Sequence, residues 1–254
     1  MPETIKHKYR TVLLFGMPGS GKGTQGTILG HIPFYVHVSM GEVLRKLPKY
    51  GVLGQKVLEY TSRGNMVPDD LTIQIYERHI TLLEMQELLT HDRHVLILDG
   101  IPRNYAQAER LANVLDVVQI FHLCINDVDL AIDRLKARAL RENRLDDIND
   151  EVIQRRLKIY EEQTANTLSF YDPALICDID ATQAPLMVLQ DIINRLVMLQ
   201  KGRRLAGLSG LGESFEPGSS AKIAATIHQE ARSARSTVPQ PSGATVTNSQ
   251  NSSS

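Results

Sequence analysis

Along residues 11–200, short apolar runs alternate with longer stretches in which apolar positions recur at three and four. The runs at 11–15, 34–38, 95–98, 117–125 and 174–179 are rich in Val, Ile, Leu or Phe and too short for helices, so each reads as a buried strand. Between them the period lengthens. Residues 69–89 place Leu71, Ile75 and Leu82 on one helical face; residues 185–200 place Leu186, Leu189, Ile193 and Leu196 on another, with Pro185 suited to a first turn. Strand and helix alternating in this way predict an α/β fold, a five-stranded parallel sheet with helices on both faces in a three-layer α/β/α arrangement. Ligands of such sheets sit beyond the carboxyl ends of the strands, which directs attention to the residues just after each run.

The alternation stops near residue 202. The 49 residues from Ala206 to Ser254 include 11 Ser, 5 Gly and 3 Pro and few large apolar side chains. A folded domain over 1–202 and a mostly disordered tail over 203–254 are therefore expected. Within the tail, 221–235 is alanine-rich with Ile223 and Ile227 four apart, but so short a helix is marginal alone. Twenty-eight basic residues against 29 acidic ones leave a net charge of -1, so no general attraction to nucleic acid or an anionic membrane is expected. No run of 18 apolar residues occurs, and the polar, basic first ten residues lead into no signal-like segment. The two cysteines, Cys124 and Cys177, lie in apolar segments and cannot form a multi-ligand zinc site, so no zinc is expected. Together these features point to a cytoplasmic protein without structural zinc.

The clearest chemistry follows the first run: Gly16-Met17-Pro18-Gly19-Ser20-Gly21-Lys22-Gly23-Thr24. Glycines at 16, 19, 21 and 23 allow a tight turn whose amide N–H groups, with the positive end of the next helix, can hold a polyphosphate. Lys22 adds a cation for the phosphate that moves. The spacing is GxxxxGK, with Gly23 next and the hydroxyl one place later at Thr24. Taken alone the stretch could be a glycine-rich structural turn, but a strand before it and a helix after it favour the phosphate cradle.

That stretch resembles the P-loop of adenylate kinases and related nucleoside monophosphate kinases. The likeness continues through Val38-Ser39-Met40-Gly41-Glu42-Val43-Leu44-Arg45, Gly64-Asn65-Met66-Val67-Pro68-Asp69, Leu98-Asp99-Gly100-Ile101-Pro102-Arg103 and Arg144-Leu145-Asp146-Asp147, in the family's order over about residues 10–200. It implies a P-loop NTPase-like fold with a monophosphate-binding segment near 39–67 and a short lid near 137–147. It also implies in-line transfer of the ATP γ-phosphoryl group to AMP, without a covalent intermediate, by a monomer that uses Mg2+.

The resemblance assigns roles residue by residue. Gly19, Ser20, Gly21, Lys22, Gly23, Thr24, Arg134, Arg138 and Gln183 match ATP-binding positions, with Arg134 stacking on the adenine and Arg138 on phosphate. Arg45 and Arg103 match the pair that grips the AMP phosphate. Asn65, Met66 and Val67 match contacts to base and ribose, and Gly100, Ile101 and Pro102 belong to the same site. Gln107 matches the amide that reads the adenine edge. Arg144 and Arg156 match arginines that converge on the transferring group, with Asp146 setting them and Arg155 an alternative to Arg156. Asp99 matches the carboxylate that holds Mg2+ through water; no direct protein ligand to metal is implied. Met40 departs from the pattern, standing where adenylate kinases usually have threonine. Asn104 is reminiscent of UMP/CMP kinases, so a pyrimidine or broad acceptor is the nearest alternative. A nucleotide-binding regulator without catalysis and a P-loop ATPase stand further off.

Overall fold

The computed structural model describes residues 8–142 and 149–205, the last three by backbone alone. Strands β1 (Tyr9–Gly16), β2 (Tyr35–Ser39), β3 (Val95–Asp99), β4 (Leu115–Cys124) and β5 (Ile176–Asp180) form one all-parallel sheet in the order β2-β3-β1-β4-β5. Each expected run falls on one of them. The fifth starts two residues late because Pro173–Leu175 forms a 3₁₀ turn, capped by Asp172, whose carboxylate accepts the Ala174 N–H. A proline there has no N–H to give a ladder.

The helices are α1 (Lys22–Leu29), α2 (Met40–Lys46), α3 (Val52–Thr61), α4 (Asp69–Met85), α5 (Tyr105–Leu111), α6 (Val128–Glu142), α7 (Asp150–Ile159) and α8 (Pro185–Leu205). Side chains alternate along β1, so its two faces feed two cores. Leu13 and Phe15 join Leu96 and Leu98 of β3 under Ile73, Tyr76 and Ile80 of α4. Val12 and Leu14 join Ile97 and Phe121 under Leu29 of α1 and Val188, Ile192 and Leu196 of α8. The sheet is thus covered on both faces, the three-layer α/β/α fold expected. Truncating a fully buried member such as Ile192 to alanine costs about 2–5 kcal/mol.

Two helical faces differ from expectation. In α4, Tyr76 and Ile80 are fully buried whereas Leu82 is 46% exposed; the inner stripe includes an aromatic that the aliphatic pattern passed over, and the helix ends at Met85, short of residue 89. In α8 the inner stripe is Val188, Ile192 and Leu196, four apart, and Leu186 in the first turn is 73% exposed. This helix continues to Leu205, beyond 200. No helix among the described residues is long and apolar enough to cross a membrane.

Strand order determines where a ligand can sit. From β1 the chain passes through α1 to β2, beyond β3; from β3 it passes through α5 to β4, on the other side of β1. Connections leaving in opposite directions open a crevice at the carboxyl ends of β1 and β3. The glycine-rich turn follows β1, and Gly100-Ile101-Pro102-Arg103 follows β3.

Candidate active site

A cleft of about 580 Å³ opens at that crevice. Its floor is the turn after β1, where Gly16, Gly19 and Gly21 all have positive φ (141°, 90° and 93°). Gly19 is constrained twice: a Cβ there would also lie 2.5 Å from the Ala131 carbonyl oxygen at the start of α6. Only glycine satisfies both conditions. Ser20 is buried, and Lys22, Gly23 and Thr24 open α1 with their side of the turn lining the cleft. The Lys22 ammonium folds back on the turn, donating to Gly16 O at 2.7 Å, Met17 O at 2.9 Å and Ser20 Oγ at 3.4 Å.

The charge lining this cleft is lopsided. Among the described residues, Lys22, Arg45, Arg103 and Arg134 line it together with Arg138, Arg141 and Arg156, and the carboxylates with them are Asp99, Glu42 and Glu142. Burial pushes the Lys22 ammonium down to about 8; Asp99 opposes this, and Arg103, Arg138 and Arg156 reinforce it. Arg103 is lowered as well, by burial first and then by Arg156, with Asp99 opposing and Arg45 adding to the shift. Cations that depress one another in a concave, partly dry site hold an anion-shaped field.

Behind the cleft lies a smaller cavity of about 80 Å³, lined by Met40, Leu44, Thr61, Val67, Thr72 and Gln107 among others. Gly41, Arg45, Gly64, Met66, Gly100, Arg103 and Arg156 line both spaces. The arginines at 45, 103 and 156 therefore stand where the two meet. Gly100, with φ of 80°, turns the chain after β3 so that Arg103 Nε donates to Gly100 O at 2.9 Å.

Most residues singled out from the sequence come together here, each for a local reason. Asp99 ends β3 and accepts a hydrogen bond from Ser39 Oγ at 3.3 Å, which ties the ends of β2 and β3. Arg134, on α6, donates to Ala181 O at 2.6 Å and Thr182 O at 3.3 Å, which brings its guanidinium beside Gln183 on the cleft wall. Gln183 itself donates to Asp191 at 2.7 Å. Pro102 and Arg138 line the cleft, and Asn65 the inner cavity. Ile101 lines neither: it is 2% exposed within the core. Arg144, Asp146 and Asp147, with part of the expected lid and all of the tail beyond residue 205, lie outside the described residues.

Arg155 and Arg156 have different surroundings. Arg156 lines both cavities, while Arg155 sits outside and donates to Asn65 Oδ1 at 3.2 Å and Arg63 O at 3.4 Å. Neighbours on a helix point about 100° apart, so only one can face the cleft.

Gln107 and Asn104 form a small network that the sequence did not reveal. Asn104 is the N-cap of α5: its Oδ1 accepts the Gln107 N–H at 2.8 Å and its Nδ2 donates to Asp69 at 3.0 Å. Gln107, 1% exposed, donates from Nε2 to Asp69 Oδ1 at 2.6 Å and accepts the Arg103 N–H on Oε1 at 2.8 Å. These bonds fix the amide's orientation, and one N–H and one lone pair remain. Asp69, Thr61, Thr72, Ser39 and Tyr160 were missed as contributors; only Ser39 and Asp69 carried a signal, being inside recognised motifs.

Two comparisons bear on this geometry. The family model for adenylate kinase matches residues 14–175. The adenylate kinase of Thermobifida fusca is 37% identical over 203 residues, which is 76% of this chain and 98% of that one. The adenylate kinase of a Cyanothece species is 35% identical over 73% of this chain and 95% of its own. That of a Synechococcus species is 37% identical over 67% and 89%.

Proposed function

This chain belongs to the adenylate kinase family, and on that premise we propose how its own residues carry out ATP + AMP = 2 ADP. One observation supports the assignment most: two adjoining cavities, of which the larger begins at the glycine-rich turn, share Arg45, Arg103 and Arg156 at their junction. A reaction between two nucleotide phosphates needs such a meeting place.

In the proposed arrangement ATP lies along the turn from Gly19 to Thr24, with its base between Arg134 and Gln183. AMP fills the inner cavity, with its phosphate on Arg45 and Arg103. The acceptor phosphate oxygen attacks the γ-phosphorus in line, and no protein nucleophile is required. Lys22, Arg138, Arg144 and Arg156 neutralise the charge spreading over the transferring group, so catalysis is positioning plus electrostatics. Asp99, with Ser39 beside it and Thr24 on the cleft wall, offers the hard oxygen donors that suit Mg2+ held through water. That ion, carried in with ATP, would screen the β- and γ-phosphate oxygens. Residues 39–67 and 137–147 close over the nucleotides to exclude water, which would otherwise take the phosphoryl group.

We also propose a catalytic domain over 1–202, a dispensable tail over 203–254, a monomeric state and a cytoplasmic setting. The Asn104 resemblance to pyrimidine kinases has a structural explanation in its capping of α5, so AMP is the acceptor we favour. Turnover measured with ATP against AMP, UMP, CMP and no acceptor tests the reading. AMP should be preferred; faster use of UMP or CMP would overturn it, and ADP release without an acceptor would indicate an ATPase.

A further inference from the structure

Strands β4 and β5 pair with His122 opposite Asp178, and Cys124 follows two residues later. Strand alternation sends His122, Cys124 and Asp178 to one face, while Phe121, Leu123 and Ile179 enter the core on the other. His122 Nδ1 lies 2.8 Å from Asp178 Oδ1, Cys124 Sγ 3.3 Å from His122 Nδ1, and Cys124 Sγ 3.7 Å from Asp178 Oδ1. The centre of that triangle is about 1.9 Å from each donor, and an ion slightly above its plane would stand about 2.0–2.3 Å from nitrogen, oxygen and sulfur. Tyr160 Oη lies 3.1 Å from His122 Nε2. An oxygen on the second ring nitrogen is what orients a metal-bound imidazole.

We propose that His122, Cys124 and Asp178 form a zinc site separate from the nucleotide cleft, with a fourth position open to solvent. One thiolate, one imidazole and one carboxylate make a donor set that selects Zn2+ over Mg2+. None of the three lines either cavity, and the Asp178 side chain is 72% exposed, which gives the ion a route in. Binding exchanges the thiol proton for the metal; the proton leaves to solvent and no redox step is involved. Two cysteines alone point to no zinc; the proposed site departs from that expectation because an imidazole and a carboxylate complete the donor set around one thiolate. Asp178 lies 56 positions from His122 and 54 from Cys124, and only strand pairing brings it to them.

The bland reading is a hydrogen-bonded brace, Asp178–His122–Tyr160, that never meets a metal. Titration of the full-length, nucleotide-free protein with Co2+ separates the two, because a cobalt–thiolate bond gives a near-ultraviolet charge-transfer band that a brace cannot. The band should saturate at one equivalent and be displaced by Zn2+. It should persist in Cys177→Ser, whose sulfur packs toward the α8 face, and vanish in Cys124→Ser. Tyr160→Phe should weaken Co2+ binding by about tenfold or more. Should Cys124→Ser fail to fold by circular dichroism, Asp178→Asn, altered at an exposed side chain, should weaken cobalt binding by a similar factor. Absence of the band in the wild type at millimolar Co2+, or its survival in Cys124→Ser, would overturn the site.

Discussion

Replacing Lys22 with methionine should make the nucleotide-free protein more stable while abolishing its reaction. The ammonium is held at about 8, down from 10.5, mainly because it is buried. At about 1.4 kcal/mol per tenfold, its charged form carries a penalty of about 3 kcal/mol in the fold. Its hydrogen bonds to Gly16 O and Met17 O return part of this, about 1–2 kcal/mol, since water in the open cleft can replace them. Lys22→Met should therefore gain about 1–2 kcal/mol at pH 7, a rise in Tm of about 2–8 °C for a chain of this size.

The sign with pH is fixed by the direction of the shift. A lysine whose folded pKa lies below its unfolded value imposes its full penalty below pH 8. The penalty fades as pH rises from 8 to 10.5, where the unfolded chain still holds the proton that the folded one has lost. The advantage of Lys22→Met should shrink over that window. Adding ATP should reverse the order, because the wild type gains more from binding the phosphates. Melting curves in low-salt buffer without phosphate, beside a coupled assay of ADP formation, supply both readings. A variant that melts lower than wild type at pH 7, or keeps more than about a tenth of its turnover, would refute the argument.

Arg156→Ala should lower kcat by about 10³, the scale of a cation lost from a phosphoryl-transfer site, whereas Arg155→Ala should change kcat little; equal losses in steady-state assays would contradict the assignment. Gln107→Leu should lower kcat/KM for AMP by about 10- to 100-fold, through an unpaired polar edge in a closed cavity. Met40→Thr should change it much less and, if anything, raise it; a larger effect at 40 than at 107 would reverse the proposed order. Deleting residues 206–254 should leave turnover and Tm unchanged, and a loss of either would give the tail a role in the folded protein.

How much of this was legible in the sequence depended on the distance over which each cause acts. The turn after β1 was legible because its requirements are local: positive φ at residues 16, 19 and 21 demands glycine wherever the chain goes next. The central strands β1 and β3 were legible because burial on both faces leaves no polar alternation to confuse with a helix, and the others because their apolar runs are too short for one. Leu82 and Leu186 were misplaced because helical faces drift, and a stripe counted from aliphatic residues alone misses Tyr76. Arg156 was favoured over Arg155 by the resemblance alone, since which of the two lines the cleft depends on the rotation of α7, with Ile153 and Leu157 packing on Leu135.

The acceptor site shows what long-range contacts add to local motifs. Asn104 read from sequence favoured a pyrimidine and Met40 removed a hydroxyl, so two neighbours of the base pointed away from adenine. In the fold, Asn104 caps α5 and shares Asp69 with Gln107, so both side chains serve to aim one amide into the cavity. Thr61 and Thr72 line the same cavity as Met40. Each already donates to a backbone carbonyl, Val57 O at 3.1 Å and Val67 O at 3.2 Å, which leaves the oxygen able to accept. An exocyclic amino group needs an acceptor, and we expect a hydroxyl from α3 or α4 to take the place of the usual threonine. Adenine is therefore expected to remain the preferred base despite Met40, with the cavity's whole set of donors and acceptors carrying the choice, which the contrast between Gln107→Leu and Met40→Thr tests.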